Sequence, residues 1–263
     1  MPDSTVTITL GDVAENNPHN QQLGEMANEG FTPDDLRSYK DMSEGAGYVA
    51  EYINLNSYLP EGVIAEEAAV LIIRNGAQMF LQDVGWTADH LFAEQSGLVP
   101  DTKYYDVRRG KVLNKQARHN LCFDDQGQVA DYESGKGTVV AFRDVPVLEK
   151  FRANLGYCLG PKAENLKAEG NYYYDIKKCG IGFHGDAERK KVIAVRLNHT
   201  IPLHYQWFHR YKPIGRRVEL SINHGDVYIM SEKATGYDWQ RSSLITLRHA
   251  AGAPKYLTIK EKA

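Results

Sequence analysis

The stretch GIGFHGDAERK, Gly180 to Lys190, places His184 and Asp186 one residue apart. In an extended segment residues two apart face the same side, so an imidazole nitrogen and a carboxylate oxygen could meet one ion. The plainer alternative is a turn closed by a bond within the loop. A third ligand from a later strand would complete a facial set of two histidines and one carboxylate. Such a set leaves three positions open and suits Fe(II) that binds a co-substrate and O2. His199, His204, His209, His224 and His249 are all available. His204 and His209 would lie on opposite faces of one strand, and His224 lies in the turn NHGD. His249 ends a strand and is followed by small residues, which leave room beside a metal.

A second group is basic and aromatic. KYYDVRRGKVLNKQARHNLCFDD gathers Lys103, Arg108, Arg109, Lys111, Lys115, Arg118 and His119. Cations there could meet phosphates while aromatics stack on a base. A solvated strand pair would carry the same residues.

These residues need elements to hold them. TPDDLRSY reads as a helix start, with Thr32 as cap, Pro33 at the first helical position and acids in the first turn. PEGVIAEEAAVLIIRNGAQMFLQ sets Ile64, Ala68, Leu71, Ile72, Asn75 and Met79 at helical spacing, which predicts a long helix. PVLEKFRANLGYC, with Leu148, Phe151 and Leu155 in a stripe, predicts another. TVTITL resembles a strand. KYYDVR, ARHNLCF, GTVVAF, NYYYDI, KKVIAVRLN, LHYQWFHR, RRVELSI, DVYIMS, SLITLRH and KYLTI are short, β-branched or aromatic, and separated by turn residues. The class is α+β with a β-rich C-terminal half, in the manner of a sandwich, barrel or jelly roll. Residues 1–60, rich in Asn, Gly and acids, read as an N-terminal extension or cover over a domain spanning 61–263.

The 263 residues are enough for a full core. No apolar run is long enough to span a bilayer, and MPDSTVTITL lacks the features of a secretory signal. Cys122, Cys158 and Cys179 show no zinc spacing or disulfide framework, which points to a reducing, intracellular setting, cytoplasm or nucleus. The net charge of −3 lacks the basic surplus of a non-specific nucleic-acid binder, so such contact would need a local patch.

YYYDIKKCGIGFHGD, ELSINHGDVYIM and LITLRHAAG, over residues 171–260 with weaker similarity from residue 57, resemble the AlkB-like Fe(II)/2-oxoglutarate dioxygenases. The resemblance implies a double-stranded β-helix, a jelly-roll core, over 166–263. A helical support and substrate-recognition region would occupy 61–165. It makes His184, Asp186 and His249 the ligands of Fe(II). It sets Tyr174 against 2-oxoglutarate and Tyr172 where the family has Asn. Lys255 and Lys260 take the places of the arginines that hold the co-substrate, with Arg248 as a competitor if Asp238 replaced His249. SEKATGYDWQRSS would form a loop or short helix over the site. Arg109, Lys115, Arg118 and His119 fall in the nucleotide-holding region. The implied activity is C–H hydroxylation coupled to conversion of 2-oxoglutarate and O2 to succinate and CO2. It includes oxidative demethylation of an N-alkylated base in nucleic acid. The alternatives are hydroxylation of a protein side chain or small molecule, and a jelly-roll binding module without catalysis.

Overall fold

TVTITL folds as its alternation predicts. It forms β1 (Thr5–Gly11), with Val6, Ile8 and Leu10 on one face and Thr5, Thr7 and Thr9 on the other. The computed structural model describes residues 3–259. The architecture is mixed α+β and dominated by antiparallel sheets. Short strands β2 (Val13–Glu15) and β3 (Gln22–Gly24) pair with each other. Helix α1 (Pro33–Gly45) starts from a capping box in which the Thr32 and Asp35 side chains each accept the other's backbone N–H. The chain continues through β4 (Ala50–Asn54), β5 (Ala69–Ile73), α2 (Gly76–Leu81) and α3 (Ala88–Ser96). A hairpin of β6 (Lys103–Asp106) and β7 (Lys111–Asn114) precedes β8 (His119–Asp124) and β9 (Val139–Ala141). Helix α4 (Pro146–Leu159) buries the expected Leu148, Phe151 and Leu155 stripe. The β-rich half comprises β10 (Lys167–Tyr173), β11 (Gly180–His184), β12 (Val192–Asn198), β13 (Leu203–His209), β14 (Lys212–Leu220) and β15 (Val227–Met230). It ends with α5 (Glu232–Thr235), β16 (Ile245–Gly252) and α6 (Pro254–Leu257).

Eight strands form one sheet in the order β4-β5-β15-β12-β1-β10-β8-β9. Four form a second, β11-β16-β13-β14. The helices cover one face of the large sheet, over Val6, Ile8, Leu71, Ile193, Val195 and Ile229. Its other face meets the small sheet through Val70, Ile72, Ala194 and Tyr228 against Tyr205, Trp207 and Leu247. Strands β5 and β15, and β12 up to Val195, are therefore apolar on both sides.

Along β8, β10 and β1 the face toward the small sheet is polar instead. Asn120, Asn171 and Thr7 lie in register across these strands, and Arg196 continues the row on β12. These side chains do not fill the space between the sheets with hydrocarbon, and a cavity opens there. Among the described residues no helix is long and apolar enough to cross a membrane.

Three expectations change. The long helix over 60–82 does not form: Ala69–Ile73 is a strand, and Ile64, expected on the buried stripe, is 90% exposed. A five-residue apolar run buried on both faces has no alternation to separate it from a helix, and Val70, Ile72 and Ile73 favour the strand. KYLTI is not a strand but begins with α6, where Pro254 opens the helical turn. The place between β10 and β12 is taken by β1. The segment read as an extension or cover is therefore also part of the frame, because its β1 is an interior strand of the large sheet.

Candidate metal centre

Strands β11 and β16 pair antiparallel, and their register sets His184 directly opposite His249. Cross-strand neighbours on one face approach closely, and these imidazoles lie 4.5 Å apart between centroids. Tyr205 of β13 is the next residue in the same row and is fully buried. Asp186 follows just beyond β11, and its N–H donates to the Thr235 carbonyl at 2.9 Å. Gly185 makes that path feasible: a Cβ there would sit 2.1 Å from the Gly236 carbonyl oxygen.

Asp186 Oδ1 lies 3.4 Å from His184 Nε2 and 3.6 Å from His249 Nε2. Ligand atoms about 2.0–2.1 Å from one ion stand roughly 3.0–3.4 Å apart, so the three donors can share an ion with little movement. His184 Nδ1 lies 2.8 Å from the Gly182 carbonyl, a second contact that aims Nε2 inward. Burial pushes the Asp186 carboxyl up, but the Arg189 guanidinium and both histidines outweigh it and hold it well below the usual range. Burial, reinforced by His184, pushes the His249 imidazole down. An anionic carboxylate and a neutral imidazole are the forms that bind metal. Two nitrogens and one oxygen suit several first-row metals, and the set alone does not name one.

The triad opens on a cavity of about 1170 Å³. Its large-sheet wall carries Thr7, Thr9, Glu169, Asn171, Tyr173 and Arg196. Arg196 is 1% exposed, and its partners are neutral: Thr7 Oγ1 at 2.5 Å and the Ile201 carbonyl at 3.4 Å. Its Nε has no partner. The loop after α5 contributes Trp239 and Gln240 to the lining, so the SEKATGYDWQRSS segment does reach the site.

The expected site residues divide. His184, Asp186 and His249 come together. Tyr172 does not line the cavity: it points to the helical face, where its hydroxyl donates to Gln95 Oε1 at 2.9 Å. Tyr174 stacks on His119 and donates to the Gln116 carbonyl. The cavity takes Asn171 and Tyr173 instead. A one-residue slip in register reverses the faces of a strand. Arg248 is directed away from its neighbour His249 and packs on Phe208 and Trp239, 4.0 and 5.0 Å from their centroids. Lys255 lies exposed on α6 near the Tyr256 ring, and Lys260 lies outside the described residues. Asp238, the alternative ligand, is paired with buried Lys233 at 2.5 Å. Of the basic group, Lys115 and Arg118 line the cavity. Lys115 is held by Asn16 and Asn120, and Arg118 by Asn171. Arg109 is exposed on the β6–β7 turn beside Asp106, and His119 is engaged by Tyr174.

Sequence reasoning missed Arg196, Arg189 and Glu169. The usable signal was a charge inside an apolar run: Arg196 in VIAVRLN and Glu169 in the strand before Tyr172. Such charges are seldom buried without a purpose.

No family model matches the sequence. An uncharacterized protein of Acanthamoeba polyphaga mimivirus is 41% identical over 255 residues, covering 96% of this chain and 97% of that protein. Similarity of that extent covers nearly the whole of both proteins, and this chain belongs to one family with that mimivirus protein.

Proposed function

We propose that the chain is an Fe(II)- and 2-oxoglutarate-dependent oxygenase of the AlkB-like kind on a jelly-roll frame. One observation carries the reading. His184 and His249 face each other across two strands, with Asp186 beside both, at a cavity that also holds a buried guanidinium lacking a carboxylate partner. The strand order supports the frame. From β10 to β16 the strands fall in the large, small, large, small, small, large and small sheets. Strand β1 supplies an eighth between β10 and β12, the order a jelly roll closed by its N-terminal strand would have.

His184 and His249 would hold iron through Nε2, and Asp186 through Oδ1. When bound, iron and 2-oxoglutarate supply O2 activation coupled to decarboxylation, with hydroxylation of a C–H bond. The chain itself binds, orients and excludes water. Arg196, held by Thr7, is the best-placed anchor for the distal carboxylate of 2-oxoglutarate, in place of Lys255, Lys260 or Arg248. Tyr173 lies within the fields of both Arg118 and Arg196 and flanks that anchor. Leu203 and Met230 supply apolar wall.

An N-alkylated nucleic-acid base is one substrate reading. Hydroxylation of a protein side chain or small molecule is the second. It is favoured by Glu15 and Glu25 in the cavity lining and by the engagement of Lys115 within the protein. Succinate release from 2-oxoglutarate, with Fe(II) present, tests the activity, and His184→Ala should abolish it. Full turnover in that variant removes the iron assignment. Formaldehyde from methylated oligonucleotides, set beside mass gains on peptides, separates the substrates. Retained metal with no turnover on any of them leaves the binding module.

A further inference from the structure

The two oxygens of Asp186 have different surroundings. Oδ1 faces both imidazoles, whereas Oδ2 lies 3.7 Å from Arg189 Nε. The Arg189 side chain is 6% exposed and held on three sides. Its Nη2 donates to Glu169 Oε2 at 2.9 Å and to Glu188 Oε1 at 2.7 Å, and its Nε donates to Glu188 Oε1 at 2.9 Å. Glu169 belongs to β10 of the large sheet and also accepts from Asn171 Nδ2 at 3.1 Å. The triad loop runs from β11 of the small sheet to β12 of the large sheet. Arg189 therefore ties this connection to β10 of the large sheet and ends against the Asp186 carboxylate.

We propose that Arg189 is a positioning residue that restricts Asp186 to one metal-binding oxygen, and that Glu169 is the strut that holds Arg189 there. The inference rests on the metal reading of the triad. A free carboxylate can rotate and bind an ion through both oxygens. A guanidinium fixed beside Oδ2 opposes that rotation, so positions on the ion stay open for other ligands. Charge points the same way. Asp186, Glu169 and Glu188 set three carboxyl groups around the single guanidinium of Arg189, an acidic surplus that suits a divalent cation. With Glu169 neutralised, Arg189 loses an anchor and draws toward Asp186, where it competes with the ion.

The test is Co(II) titration of the full chain, read by the absorption bands that report coordination number and by affinity. Circular dichroism melts of the metal-free proteins serve as the fold control. Arg189→Met should saturate with weaker bands of higher coordination as Oδ2 joins the ion. Glu169→Gln, which preserves volume, should weaken Co(II) binding about 10-fold or more, the usual cost of losing an outer-shell partner. An Arg189→Met protein with wild-type band shape overturns the inference. If that variant does not fold, wild-type Co(II) affinity in Glu169→Gln overturns it. Wild-type protein that takes up no Co(II) overturns the metal reading, and this inference with it.

Discussion

Replacing Arg196 with methionine should move stability and co-substrate affinity in opposite directions. Arg196 is 1% exposed, and its guanidinium touches only Thr7 Oγ1 and the Ile201 carbonyl. A buried cation without an anion keeps its desolvation cost uncompensated, so a well-packed apolar chain of similar length should be neutral or stabilising. For a chain of this size each kcal/mol is worth roughly 2–4 °C in melting temperature. The metal-free variant should therefore melt at or above wild type. Binding of 2-oxoglutarate, by contrast, should lose a charge-assisted hydrogen bond worth about 1.5–3 kcal/mol, or roughly 10- to 150-fold in affinity. Calorimetry of Mn(II)-loaded protein with 2-oxoglutarate measures the second effect, and a thermal melt the first. A variant that melts several degrees lower and binds 2-oxoglutarate as wild type does would make Arg196 structural and refute the anchor.

Deleting residues 1–11 should leave no soluble folded protein. Val6, Ile8 and Leu10 are buried, and at about 1.5–3 kcal/mol each their loss rivals the roughly 5–15 kcal/mol stability of a whole domain. A folded truncation by circular dichroism would show that β1 is dispensable. Tyr173→Phe should weaken 2-oxoglutarate binding in the same calorimetric assay, while Tyr174→Phe leaves it unchanged. Tyr172→Phe should cost about 1 kcal/mol in a denaturant melt through loss of its bond to Gln95. Gly185→Ala should abolish Co(II) uptake, because its Cβ would collide with the Gly236 carbonyl. Burial and the neighbouring Glu188 push the Glu15 carboxyl from 4.5 up to about 7. A raised folded value means the folded state binds the proton more tightly, so this contribution is full below pH 4.5 and lost as pH rises through 7. Glu15→Gln should flatten that part of the stability profile, measured as melting temperature between pH 4 and pH 8.

The grouping of His184, Asp186 and His249 was legible because its parts are local or strongly patterned. His184 and Asp186 are one residue apart, and His249 lies in a strand whose composition marks it, within β16 rather than at its end as expected. TVTITL, KKVIAVRLN and LHYQWFHR gave their strands through alternation or β-branched content. The polar threonine face of β1 became cavity wall, which alternation alone could not tell from a solvent face. The errors came where local pattern is silent. VLII in β5 is buried on both sides by two different layers, so no period distinguishes it from a helix. Tyr172, Tyr173 and Tyr174 are chemically alike, and only the pairing of β10 with β1 and β8 decides which faces inward. The role of β1 depends on a partner more than 150 positions away, set by sheet topology rather than by any neighbour in sequence. Arg189 and Glu169 meet between a connecting loop and β10, far apart in sequence, for the same reason.

The central claim is that His184, Asp186 and His249 hold one iron ion. Protein produced with iron supplied and purified without oxygen, then analysed for metal per chain beside Asp186→Ala, tests it most directly. The account predicts close to one Fe(II) per wild-type chain and almost none in the variant, with both proteins folded. Equal metal content in the two, or none in wild type even after reconstitution with Fe(II), would contradict it.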